Sequence, residues 1–469
     1  MSLSQVLNYL DDVLYYPILI IVLIAAGLFF TVKTRLIQFR YLTECIHVVM
    51  QKPEKAGSVS SFQALMVSTA SRVGTGNIVG ISTALCLGGF GAVFWMWLIA
   101  IIGGSTAFIE STLAQVYKRR DANGDSYGGP AYYIESALHN KGLAAAFAVA
   151  LIITYAGGFN LLASYNLQST FAVYSFYDKG TTPIIIGAIL AILVGICIFG
   201  GGKRIVKVTE AVVPFMGVLY VLLSVVVILM HLGKIPAVIG AILSDAFNFE
   251  KILAGISGSC MMYGIKRGLY SNEAGVGSAP NAAAAADVSH PAQQGLVQML
   301  SVFIDTTLCT STALMCMFSG VEPAKKLAGA PYVQAAVQVD FGMLGPILIT
   351  VAMILFAFTT LLGNLFYVDN CLAYLNGGKT PSKKFMTFFR LLCVLVIFVG
   401  AIVSMDNAWA VADIFMAFMC LVNIPSIICL SGTAIAVMND YGRQRSQGRK
   451  PVFKAKNIGL DDSNLDYWK

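Results

Sequence analysis

The chain has 469 residues, of which 57% are hydrophobic and only 12% charged, with a formal net charge of +7. A soluble domain carries about 25% charged residues, and a soluble surface this apolar would aggregate. The composition therefore excludes an ordinary soluble enzyme or nucleic-acid-binding domain and points to a lipid bilayer as the solvent. The 10 cysteines form no CxxC pair and no Cys/His cluster, and the four histidines show no metal-ligand spacing.

A spanning helix needs about 20 mostly apolar residues. Eleven stretches qualify: 15–32, 62–88, 90–116, 143–175, 182–200, 206–231, 251–285, 292–320, 345–375, 385–404 and 408–438. They are read as helices because alternation is absent and backbone groups in hydrocarbon must be satisfied within the segment. The first is read as a retained helix, since it lacks a basic stretch before it and a small-residue cleavage site after it.

Lys and Arg alternate across the connections. Lys33, Arg35, Arg40, Lys52 and Lys55 follow the first span and none follows the second. Lys118, Arg119, Arg120 and Lys141 follow the third, and Lys179 alone the fourth. The later connections keep the alternation, except that none follows the seventh span. The positive-inside rule then puts the N-terminus outside the cell (inner) membrane and the C-terminus in the cytoplasm. The tail, with Arg443, Arg445, Arg449, Lys450, Lys454 and Lys456, reads as a topology anchor and solvated end, with anionic lipid binding as the alternative.

Two spans are interrupted. In the second, Gly74 and Gly76 flank Thr75, with Arg72 before and Asn77 after. Each Gly costs about 1 kcal/mol in a helix interior relative to Ala. The seventh repeats the pattern: Arg267, Asn272 and Gly275 have the spacing of Arg72, Asn77 and Gly80. A broken helix frees amides that suit a carboxylate and carbonyls that suit a bare cation. Close packing of small residues would explain the glycines, but not ionisable groups at the same depth. The expected fold is all-α and multi-pass, a five-plus-five inverted repeat preceded by one extra helix. Residues 1–61 form the N-terminal helix and loop, 62–231 the first repeat, 232–440 the second and 441–469 the basic cytosolic tail.

The motifs Arg72-Val-Gly-Thr-Gly-Asn-Ile-Val-Gly80, Gly88-Gly-Phe-Gly-Ala-Val-Phe-Trp-Met-Trp97, Arg267-Gly-Leu-Tyr-Ser-Asn-Glu-Ala-Gly-Val-Gly-Ser-Ala-Pro280, Phe303-Ile-Asp-Thr306 and Phe356-Ala-Phe-Thr-Thr360 resemble the alanine/glycine:cation symporter family. The resemblance runs from about residue 60 to 440. It implies the leucine-transporter fold and uptake of a small neutral amino acid with co-transported Na+, sometimes a proton. It also implies a sodium site from the carbonyls of Ala70 and Val73 and the hydroxyls of Thr359 and Thr360, the alternative for the threonines being bonds to their own helix carbonyls. The substrate carboxylate is expected at the amides of Gly74, Thr75, Gly76 and Asn77. Its amino group is expected near Gly268, Tyr270, Ser271 and Thr360, and its side chain near Asn166 and Asn364. The substrate is then alanine, glycine or glutamine; Asn364 stands where some members have Trp, and a smaller, polar residue there opens the pocket and offers an amide, which favours glutamine or asparagine.

Arg72 and Arg267 are expected to pair with buried acids among Glu110, Glu210, Glu273, Asp305 and Asp369. Glu273 or Asp305 is the candidate carrier in a proton-coupled alternative. No HExxH, GxSxG or GxxxxGK[ST] occurs, which argues against an enzyme or an ATP-driven pump. A channel remains open at this level, since broken helices also line pores.

Overall fold

The computed structural model describes residues 3–469 except 56, 122–123, 249–258 and 404. The chain opens with α1 (Leu3–Val13), a π-helical turn (Leu14–Leu19) and α2 (Ile20–Lys33). Short helices α3 (Ile37–Arg40) and α4 (Leu42–Val49) lead to α5 (Ser61–Arg72). A capping box starts α5: Gln63 N donates to Ser60 Oγ at 3.1 Å and Ser60 N to Gln63 Oε1 at 3.0 Å. A one-turn helix (Thr75–Asn77) separates α5 from α6 (Val79–Gly88), and α7 (Ala92–Val116) follows. β1 (Arg119–Arg120) and β2 (Ser126–Tyr127) pair antiparallel.

Next come α8 (Pro130–Leu138) and a long rod made of α9 (Lys141–Ile152), a π turn (Ile153–Gly158) and α10 (Phe159–Ser169). Then follow α11 (Thr182–Ile198), α12 (Gly201–Met230) and α13 (Ile235–Ala246). The described chain continues with α14 (Cys260–Asn272), α15 (Pro280–Ala285), α16 (Pro291–Ser319), α17 (Ala330–Phe341), α18 (Leu344–Leu375), α19 (Lys383–Gly400), α20 (Met405–Cys429) and α21 (Ser431–Ser446).

Among the described residues, six helical stretches are long and apolar enough to cross a membrane: α7, the rod Lys141–Val173, α12, α16, α18 and Trp409–Cys429. Ile20–Lys33, Thr75–Gly88 and Thr182–Ile198 are shorter apolar helices. This is a multi-pass membrane protein. Its outer helices show their apolar side chains: on α12, Phe215, Val218, Leu222 and Leu229 are exposed, a surface that only lipid tails leave without penalty. Its inner helices carry the polar residues. The second half of α7, from Ile102 to Val116, is buried throughout, and α7 packs against α14 and α16.

Several sequence expectations change in detail. Part of the seventh expected span, residues 251–258, lies outside the described residues; the rest is α14, a non-helical stretch and α15. Among the described residues, four connections hold helices that were not anticipated, α3 with α4, α8, α13 and α17, each of 12 residues or fewer. At about 1.5 Å per residue these are too short to cross hydrocarbon.

The tail is exposed over most of its length, as its charge suggested, but it is also docked on the protein by a few apolar residues. Phe453, Ala455 and Leu465 are buried. Phe453 N donates to Ser289 O at 2.9 Å, and Trp468 Nε1 to Gln115 O at 2.8 Å. Lys118 Nζ sits 4.6 Å from the Tyr467 ring centroid and 5.0 Å from that of Trp468. A basic count overlooks these few apolar residues, which are enough to dock the segment while Lys454 and Lys456 stay exposed.

Candidate substrate and ion site

The first break starts where α5 runs into Val73 and Gly74. Val73 leaves helical geometry at ψ 87°, and Gly74 is extended at φ −140°, ψ −152°. Asn77 holds the turn: its Oδ1 accepts the Gly74 N–H at 2.8 Å. Asn77 N in turn donates to Gly74 O at 3.2 Å. The amides of Thr75 and Gly76 are not tied into this pair of bonds.

The second break follows α14. Glu273 is left-handed at φ 52°, a conformation rare for a residue with a side chain. Gly275 and Gly277 follow at φ 89° and 86°, where a Cβ is disfavoured. Here Ala274 N donates to Asn272 Oδ1 at 3.0 Å. The two asparagines matched in the sequence thus do the same job, each accepting a main-chain N–H that the break has freed.

The breaks meet. A Cβ on Gly76 would lie 2.8 Å from the Tyr270 ring, and one on Gly74 would lie 2.0 Å from Thr360 Oγ1. Glycine is required at both for the backbone to come this close. Gly363, one turn on from Thr360, brings α18 against the main chain of Ser71. Asn166 on α10 donates from Nδ2 to Thr75 Oγ1 at 3.1 Å. Asp305 on α16 joins both breaks, accepting at Oδ1 from Asn77 Nδ2 at 2.7 Å and from Ser271 Oγ at 2.9 Å. Thr360 Oγ1 and Asn166 Oδ1 are buried without a hydrogen-bond partner among the described residues. Such atoms are costly unless something polar engages them.

The structure thus brings Gly74, Thr75, Gly76, Asn77, Asn166, Tyr270, Ser271 and Thr360 together. It places three other expected residues differently. Asn364 lies in a separate polar cluster. Its Oδ1 is 2.8 Å from Ser71 Oγ, and its Nδ2 donates to Asn160 Oδ1 at 3.0 Å. Ser71 Oγ is also 3.1 Å from Glu273 Oε1. Gly268 faces α7, where a Cβ would sit 3.0 Å from Ile99, so it serves close helix packing. The Thr359 hydroxyl donates to Leu355 O at 2.9 Å and lies 3.2 Å from Met216 Sδ. That is the helix back-bonding alternative, on the face turned to α12. Ala70 and Val73 are fully buried at the end of α5.

Arg72 interacts electrostatically with Glu110, Glu273 and Asp305 of the expected set, whereas Arg267 departs from it. Arg72 Nη1 donates to Gln298 O at 3.1 Å and lies 3.3 Å from Gln298 Oε1. Arg267 pairs with Asp413, outside the expected set of acids, at 2.6 Å. Its guanidinium lies 3.9 Å from the Trp409 ring centroid. Lys266 bridges Asp413 at 3.1 Å and Asp11 of α1. Two cations on α14 therefore face carboxylates from α20 and the N-terminal helix, a pairing that only the packing of distant segments creates. Trp409, Tyr270 and Phe159 form an aromatic series beneath them, with centroids 4.9 Å and 5.0 Å apart.

The model of the sodium:alanine symporter family matches residues 1–455. The chain belongs to the sodium:alanine symporter family. It is 41% identical over 468 residues to the amino-acid carrier protein AlsT of Bacillus subtilis (strain 168), covering 99% of this chain and 98% of that one. It is 35% identical over 459 residues to the sodium/alanine symporter AgcS of Methanococcus maripaludis, covering 96% and 100%. The crystal structure of MhsT in complex with L-phenylalanine superposes with a TM-score of 0.56 at 16% identity, covering 88% of this chain and 94% of that chain. That likeness concerns the fold, which is the leucine-transporter fold. The protein is thus a transporter rather than an enzyme. The residue that the site expectation underweighted is Asp305, carried in the sequence by the Phe303–Thr306 motif.

Proposed function

We propose that this symporter carries a small neutral amino acid, with alanine first among candidates, inward with sodium by alternating access. The main support is the meeting of two helix breaks at one carboxylate, Asp305, beside the unpartnered hydroxyl of Thr360. The substrate carboxylate takes the amides of Thr75 and Gly76. Its amino group takes oxygens of Tyr270 and Ser271, and Asn166 faces its side chain. Sodium prefers oxygen ligands, by extension of the rules for hard cations. It takes the carbonyls of Ala70 and Val73 with Thr360 Oγ1, and Thr359 joins only after rotating off Leu355. Asn364 reaches a substrate only if its bond to Asn160 opens, which disfavours glutamine.

The eleven spans, the inverted repeat and an outside N-terminus in the cell membrane belong to the same reading. They rest on the alternation of Lys and Arg and on the helices that lie in the expected ranges. Sodium drives transport only by binding one conformation more tightly than the other.

Uptake of radiolabelled alanine into proteoliposomes tests the reading. An inward sodium gradient is expected to drive accumulation, with alanine competing better than glutamine. Uptake that follows a pH gradient and ignores sodium would turn the reading to proton coupling, and passive conductance would turn it to a channel.

A further inference from the structure

Both breaks have an internal asparagine acceptor, but the second is also held from outside its own segment. In the first, Gly74 N–H is satisfied by Asn77 of the same segment. In the second, the peptide groups of Gly275 are satisfied from other helices. Gly275 N donates to Glu110 Oε1 on α7 at 3.4 Å. Gly275 O accepts from Asn423 Nδ2 on α20 at 3.0 Å, and the same amide donates to Glu110 Oε2 at 2.8 Å. Asn423 Oδ1 accepts from the Tyr133 hydroxyl of α8. Glu110, Asn423 and Tyr133 are each 0% exposed.

The hydrogen-bond inventory closes. An amide side chain has two N–H donors, and Asn423 uses one on the Gly275 carbonyl and one on the Glu110 carboxylate. Main-chain groups freed in a membrane interior need such partners, since water is not there to supply them. The surroundings also fit glycine alone. A Cβ on Gly275 would lie 3.3 Å from Thr106, and one on Gly277 would lie 3.0 Å from Asn423 Cγ. Both residues have positive φ.

We infer that Glu110 and Asn423 are positioning residues of transport: they clasp the Gly275 peptide, keep the second break unwound, and so aim Tyr270 and Ser271 at the transported solute. Neither residue belongs to the site proposed above, and the inference rests on that proposal only for its effect on transport. The clasp itself has a readout that does not depend on transport.

The test uses the full-length protein and the variants Glu110→Ala, Asn423→Ala, their double variant, Asn423→Asp, and Asn423→Asp combined with Glu110→Gln. In purified protein, Asn423→Ala is expected to speed amide hydrogen–deuterium exchange of the peptide covering 273–279 by about ten-fold, leaving 70–80 unchanged. In proteoliposomes, each alanine variant raises the half-saturating alanine concentration about ten-fold or more. The double variant is no worse than the worse single, because the two residues act as a unit. Asn423→Asp sets two carboxylates face to face and falls below Asn423→Ala. Adding Glu110→Gln returns a donor to that contact and recovers several-fold activity.

Unchanged exchange at 273–279 overturns the clasp whatever the transport result. Additive losses, or no recovery by Glu110→Gln, overturn its role as a unit. A wild type that takes up no amino acid with sodium, yet shows the exchange effect, leaves the clasp standing and defeats the proposed function instead.

Discussion

Gly74→Ala isolates the close approach on which the site depends. The new Cβ would stand 2.0 Å from Thr360 Oγ1 and 3.2 Å from Thr360 Cβ, against a floor of 3.0 Å for real Cβ contacts. The backbone at φ −140° accepts an L side chain, so torsional strain is not the cause of the effect. The hydroxyl must instead give way by about 1 Å, and displacements of that size can cost on the order of 100-fold where geometry governs function. Overpacking a fitted interior costs about 1–3 kcal/mol, which corresponds to about 5–150-fold in a binding constant. The assay is sodium dependence of alanine uptake in proteoliposomes, with size-exclusion elution checked for each variant. Gly74→Ala is expected to raise the half-saturating sodium concentration within that range. Thr360→Ala removes the collision along with the ligand, so Gly74→Ala/Thr360→Ala should be no worse than Thr360→Ala alone. A double variant as poor as the product of the singles would show that the alanine acts through the turn amides, and the steric reasoning would be wrong.

Three further outcomes are expected. Asp413→Ala strands Arg267 with a buried charge, a loss of about 3–5 kcal/mol when one partner of a buried pair is removed; thermal unfolding in detergent should show it, with Arg267→Met added to Asp413→Ala recovering part. The tail should undock on acidification. His290 Nδ1 accepts from Ala292 N at 3.2 Å, so Nε2 carries the proton toward Asp440 Oδ2 at 3.3 Å. Burial holds the His290 pKa below its ordinary value, and the hydrogen bond from His290 holds Asp440 down to about 2. In both cases the undocked form binds more protons, so docking is full above a pH of about 6.5, weakens as pH falls below it, and weakens again below about 4. Hydrogen–deuterium exchange of 443–469, corrected for its intrinsic pH dependence, should follow that profile, and His290→Asn, which keeps a cap acceptor, should remove its upper step. Finally, Trp468→Ala leaves the small apolar cluster of Ala64, Ala286 and Val288 partly uncovered, and faster tail proteolysis at neutral pH should result; an unchanged rate would mean that Phe453 and Leu465 suffice.

Local chemistry made part of this protein legible from residues alone. Apolar length marked the helices because a bilayer tolerates little else, and paired glycines beside Asn marked the breaks because an uninterrupted helix has no use for them. The role of Asn77 at its own turn is local in the same sense. Other features depend on segments far apart in the chain. Asp413 and Asp11 reach Arg267 and Lys266 only when α1 and α20 pack beside α14. Thr359 and Thr360 are neighbours in sequence, yet about 100° of helical turn sends one to α12 and the other to Gly74. Asn364 meets Asn160 rather than Asn166 because helix phase and depth, not residue type, select its partner. Hydrogen bonds and ion pairs are made across space, so composition and periodicity located the breaks, while packing chose which side chains answer them.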